Sequence, residues 1–88
     1  MNEKRQHHSR AEEFEIKAVW DPEAKVWYVG DSDVPGLVTE AATLESLTEK
    51  IVLMIPDLLR MNNREPLPTH HVPFKLTGEM HGKIEISV

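Results

Sequence analysis

The sequence predicts a small α+β fold: an antiparallel-rich sheet with one helix packed on a face, in the order β-β-β-α-β, with or without a further strand after it. Three patterns carry that expectation. Apolar residues alternate with polar ones over 14–20, an apolar stripe recurs at three- and four-residue steps over 44–60, and alternation returns over 72–88. With 88 residues, the chain is long enough for one domain and too short for two.

Residues 1–12 are charged and polar without a period, and they read as a flexible arm ahead of a single domain over 13–88. Phe14, Ile16, Ala18 and Trp20 then share one face of a strand, with Glu15 and Lys17 on the other. Asp21-Pro22-Glu23-Ala24-Lys25 is a turn, because Pro presets its φ and Asp accepts local hydrogen bonds. Val26-Trp27-Tyr28-Val29 is rich in strand formers and completes a hairpin. Trp27 and Val29 fall on the face opposite Val26 and Tyr28, so one pair faces the helix and the other faces outward; at least one tryptophan is expected in the core.

Gly30 to Gly36 is a loop closed by Pro35-Gly36, and Leu37 to Ala41 reads as a third strand. Thr43 is a candidate helix N-cap, with Glu45 in the first turn where the helix dipole favours an acid. Leu44, Leu47, Ile51, Ile55 and Leu58 form the stripe of a helix over about 44–60, widened by Val52 and Leu59. Pro56 lies inside it and is expected to kink the last turn or end the regular part early. Residues 62–71 are a connector. Phe74, Leu76, Ile84, Ile86 and Val88 alternate with polar neighbours, and Gly78 and Gly82 bracket a turn, so one or two closing strands are expected, at about 72–77 and 83–88. The expected core is Phe14, Ile16, Leu47, Ile51, Ile55 and Leu58.

The net charge of −5 is unevenly spread: residues 11–49 hold ten acids against Lys17 and Lys25. An acidic surface repels phosphate backbones and attracts basic partners. No basic stripe marks a nucleic-acid surface, and no apolar run approaches a membrane span or a signal peptide. The absence of cysteine excludes disulfides and thiolate metal sites, and a cytoplasmic location is the simplest expectation.

Catalytic chemistry has little to build on. His7-His8, His70-His71 and His81 are scattered, and the helix carries no pair of histidines at zinc-binding spacing. Asp21, Asp31, Asp33 and Glu40 are the acids that a divergent metal-dependent nuclease would need to converge on a cation, but their spacing does not require it. No serine sits in a nucleophile elbow, and no glycine-rich phosphate loop is present. A non-enzymatic protein without cofactor or metal is the expectation.

Residues 14–59 resemble the HicB-like antitoxin domain. The resemblance rests on the strand hairpin from Phe14 to Val29, on Asp33-Val34-Pro35-Gly36, on Leu37-Val38-Thr39, and on the helix start Thr43-Leu44-Glu45-Ser46-Leu47. It implies a partial ribonuclease-H-like fold and a role in neutralising a small basic RNA-cleaving toxin. Many such antitoxins carry a further DNA-binding domain; residues 62–88 here read as strand, so no direct DNA binding is expected. The expectation is a partner-binding module, a homo-oligomer, whose sheet presents Asp31, Asp33 and Glu40 outward together with Trp27.

Overall fold

The computed structural model describes residues 13–62 and 72–87. The expected arm and most of the connector lie outside them. In chain order the elements are β1 (Phe14–Asp21), β2 (Val26–Ser32), β3 (Glu40–Ala41), α1 (Leu44–Met61) and β4 (Phe74–Glu79). The strands form one sheet in the order β3-β2-β1-β4. β1 pairs antiparallel with β2 and parallel with β4, and β2 pairs antiparallel with β3. The fold is therefore α+β with a mixed sheet. The parallel pair needs a crossover between its strands, and α1 lies in it.

The β1–β2 turn is built by Asp21. Its carboxylate accepts from the N–H groups of Glu23 at 3.0 Å and Ala24 at 3.2 Å, and its carbonyl accepts from Lys25 N–H at 2.8 Å. Lys25 adopts φ +62°, a left-handed conformation that costs an L-residue about 1–2 kcal/mol. Further along, the ladder shifts: Lys17 faces Asp31 and Ala18 faces Val29, so Gly30 is the extra residue of a bulge. A side chain there would begin 2.7 Å from Val19 Cγ2, too close for any residue but glycine without movement.

Thr43 caps α1 as its position suggests, accepting from Ser46 N–H at 3.0 Å. At the other end Asn62 donates from Nδ2 to the carbonyls of Leu58 at 2.9 Å and Pro35 at 3.2 Å, tying the helix terminus to the Pro35-Gly36 turn. The helix runs through Pro56 to Met61 rather than ending early. The lost bond would have gone from position 56 to the Val52 carbonyl, and both residues lie on the exposed side, where water can serve that carbonyl.

The core joins Phe14, Ile16 and Ala18 of β1 to Leu47, Ile51, Ile55 and Leu59 of α1, with Val34, Leu37 and Ala41 closing the β2–α1 side. Five of the six expected core residues are buried. Leu58 is not: it is half-buried and leans on the turn at Gly36, while Leu59 is the buried residue at 2% exposure. The buried row advances by four at every step, the natural ridge of a helix surface, and that step lands on Leu59.

Two strand expectations change. The third strand is only Glu40–Ala41. Leu37 instead turns inward after its N–H bonds the Val34 carbonyl, leaving Val38 80% exposed. After the helix, β4 is the one strand among the described residues, and the turn expected between Gly78 and Gly82 is absent. Gly78 is not a turn residue but lies within β4, where a Cβ would meet Leu44 Cδ1 at 3.2 Å and Trp27 Cζ3 at 3.3 Å. Residues 81–87 are exposed and belong to no strand of this chain.

Ile51 is fully buried at the centre of the helix row. Its replacement by Ala is expected to lower unfolding stability by about 2–4 kcal/mol, measured by urea denaturation. An unchanged midpoint would contradict the packing of α1 on β1.

Candidate partner-binding face

With α1 covering one side of the sheet, the strand alternation sends the other residues to an uncovered face. From the β3 side to the β4 side these are Glu40, then Tyr28 and Asp31, then Glu15, Lys17 and Val19, then Lys75, Thr77 and Glu79. Tyr28 is 39% exposed and lies directly opposite Glu40 in the ladder. Asp31 lies on the same strand, opposite Lys17.

The charges on this face are not evenly balanced. On the β1–β4 half, Lys75 lies opposite Glu15, and Lys17 Nζ bonds the Glu79 carboxylate at 2.9 Å. On the β2–β3 half, Asp31 and Glu40 flank Tyr28; Lys17 lies across the ladder from Asp31, and Lys50 of the helix donates to the Glu40 backbone carbonyl at 2.7 Å. The face is thus an aromatic ring bordered by two exposed carboxylates, beside a charge-neutral half.

The residues expected to present outward separate. Asp31 and Glu40 share the uncovered face. Asp33 has a structural job: its carboxylate accepts from Glu15 N–H at 2.9 Å while its own N–H donates to the Glu15 carbonyl at 3.0 Å, which extends the β1–β2 pairing by a residue. Trp27 lies on the helix side, half-buried against the core, with its ring centroid 5.4 Å from that of Trp20. Tyr28 is the aromatic on the outer face, and the sequence signal for it was the alternation that separates the pair Val26 and Tyr28 from Trp27 and Val29. That alternation does not say which pair the helix covers.

Two of the four acids named for a metal-dependent nuclease have structural roles, and the other two, Asp31 and Glu40, are exposed on the face just described. Asp21 holds its turn and Asp33 holds β1. Among the described residues, no group of three or more His, Asp or Glu side chains is gathered as a metal site. No helix among the described residues is long and apolar enough to cross a membrane.

Two groups on the β4 half have shifted protonation. The His81 ring nitrogen and then the Lys17 ammonium hydrogen-bond Glu79 and hold its carboxyl below the usual value. The Glu79 hydrogen bond and charge hold Lys17 above its own usual value. A lowered carboxylate pKa stabilises the fold above the unfolded-state value, and that stabilisation is lost as pH falls through the folded-state value. A raised lysine pKa stabilises below its unfolded-state value, and the contribution is lost as pH rises through the folded one. Glu79→Gln is therefore expected to melt slightly below the parent at neutral pH, and the two melting temperatures are expected to converge in strong acid. A constant gap across the acid range would show that Glu79 acts by packing alone. The effect is small, because both side chains are solvent-screened.

Comparison with known proteins places this arrangement. The chain is similar to the hypothetical protein TTHA1013 of the extremely thermophilic bacterium Thermus thermophilus, known from a crystal structure. The identity is 39%, the match covers 84% of this chain and 99% of that one, and the TM-score is 0.61. No curated protein matches it. A family model matches residues 13–87, which include all of the described strands and the helix. The chain belongs to the family described as the domain of unknown function DUF1902.

Proposed function

We propose that this protein is a non-catalytic binding module whose uncovered sheet face takes a small basic protein, in the manner of a HicB-like antitoxin covering an RNA-cleaving toxin. The observation that supports this reading is the exposed Tyr28 between Asp31 and Glu40 on a sheet face that no helix among the described residues covers. Aromatic side chains anchor interfaces because they bury much area with few rotors. Flanking carboxylates steer a basic partner and disfavour acidic ones. An RNA-cleaving toxin must offer a basic surface to phosphate, and an acidic, aromatic-centred face is the chemistry that would occupy it. The resemblance in residues 14–59 supplies the toxin class; the face itself supports a basic protein partner.

The test uses the full chain, tagged, to capture protein from native lysate at low and high salt. A small basic protein is expected at low salt and lost at high salt, with its RNA cleavage suppressed while bound. The double variant Asp31→Lys, Glu40→Lys is expected to weaken capture at least about tenfold, whereas Glu49→Lys on the exposed side of α1 leaves it unchanged. Circular dichroism checks that the double variant folds. Capture that ignores both salt and the double reversal would overturn the assignment of this face.

A further inference from the structure

Residues 83–87, Lys-Ile-Glu-Ile-Ser, have the alternation of a strand but pair with no strand among the described residues. Ile84 is 89% exposed and Ile86 76%, the most exposed isoleucines among the described residues. Two apolar side chains on one face of an extended segment call for a covering surface, and the backbone between them calls for a strand edge.

The same chain leaves a matching edge open. β4 is an outer strand, paired to β1 on one side and to no described strand on the other. Its core-side residues Phe74 and Leu76 are only half-buried, whereas Phe14 and Ile16, their partners on β1, are 3% and 1% exposed. A neighbour on the free edge that carried apolar residues on this face would complete the covering of Phe74 and Leu76.

Folding back within the chain would join the two, but the backbone runs the other way. His81 Nε2 meets the Glu79 carboxylate at 2.5 Å. Side chains two residues apart lie on the same side of an extended chain. Residues 80–87 also contain no turn or bend and are exposed throughout, so the chain continues past Glu79 instead of reversing onto its own β4 edge.

We infer that residues 80–87 pair antiparallel with β4 of a second copy of this chain, and reciprocally, joining the two sheets edge to edge across a two-fold axis. A second copy is the occupant that satisfies both deficits at once: each chain offers one unpaired strand and one open edge, and two-fold symmetry matches them. A foreign strand on β4 would still leave Ile84 and Ile86 uncovered. The register that sets Ile84 opposite Leu76 and Ile86 opposite Phe74 also sets Glu85 of one copy opposite Lys75 of the other, an opposite-charge cross-strand pair. It places Met80 on the axis. One chain cannot form this register with itself, because residues 79 and 81 would have to pair across a single residue.

The test is the mass of the purified full chain by sedimentation across a wide concentration range. The parent is expected to be a dimer, and Ile84→Asp with Ile86→Asp is expected to shift it to a monomer with an unchanged circular dichroism spectrum. Since the chain has no cysteine, Met80→Cys adds a second readout: on mild oxidation it is expected to give a covalent dimer, because the two copies of position 80 face each other. A closed hairpin leaves its single thiol unpaired within the chain. A monomeric parent, or a dimer that survives the double Asp variant, would overturn the inference. The readout needs no basic partner, and the Asp31→Lys, Glu40→Lys variant is expected to remain dimeric, so failure here is distinguishable from failure of the proposed function.

Discussion

One apolar row on one helix lies against one central strand, and the rest of the structure is arranged around that contact. Leu47, Ile51, Ile55 and Leu59 meet Phe14, Ile16 and Ala18, and all seven are buried. β1 can take this role because it has a strand on each side, antiparallel β2 and parallel β4, so its backbone is satisfied in both directions. At about 1.5–3 kcal/mol for each large apolar side chain removed from water, these residues supply much of what opposes the conformational entropy of so short a chain.

The same contact dictates what stays uncovered. Among the described residues a single helix covers one face of a four-stranded sheet, and none of them covers the opposite face. On that face the sequence has placed charged residues, with Lys17 and Glu79 paired across the β4 half and Asp31 and Glu40 bordering Tyr28 on the other. Among the described residues the sheet also ends at β4, whose inner Phe74 and Leu76 are half-buried. The two proposed interactions use these two different surfaces, the face for a basic partner and the edge for a second copy, and neither obstructs the other.

Local chemistry explains why the elements begin and end where they do. Asp21 builds its turn by accepting from two backbone N–H groups. Thr43 caps the helix, and Asn62 binds its end to the Pro35 carbonyl. Asp33 substitutes a carboxylate for the missing next residue of the ladder. That use of Asp33 shows how an acid in a loop near a strand end can look like a site in the sequence and act as a structural bond in the fold.

The sequence by itself determined the class of the fold, the hairpin, the helix with its cap, and five of the six core residues named from it. Those features follow from periodicity and from short-range hydrogen bonding, which depend only on neighbouring residues. Four matters were decided by tertiary structure. The side of β2 that the helix covers placed Trp27 inward and Tyr28 outward, because alternation sorts residues into two faces without saying which is the inner one. The slant of the helix row selected Leu59 over Leu58. Pairing with Ala18 of β1 made Gly78 part of a strand rather than a turn, at a place where Trp27 and Leu44 crowd any side chain. The straight run of the chain past Glu79 left Ile84 and Ile86 unpaired, because an alternating segment states that it can be a strand, while only the path of the backbone decides which edge it can reach.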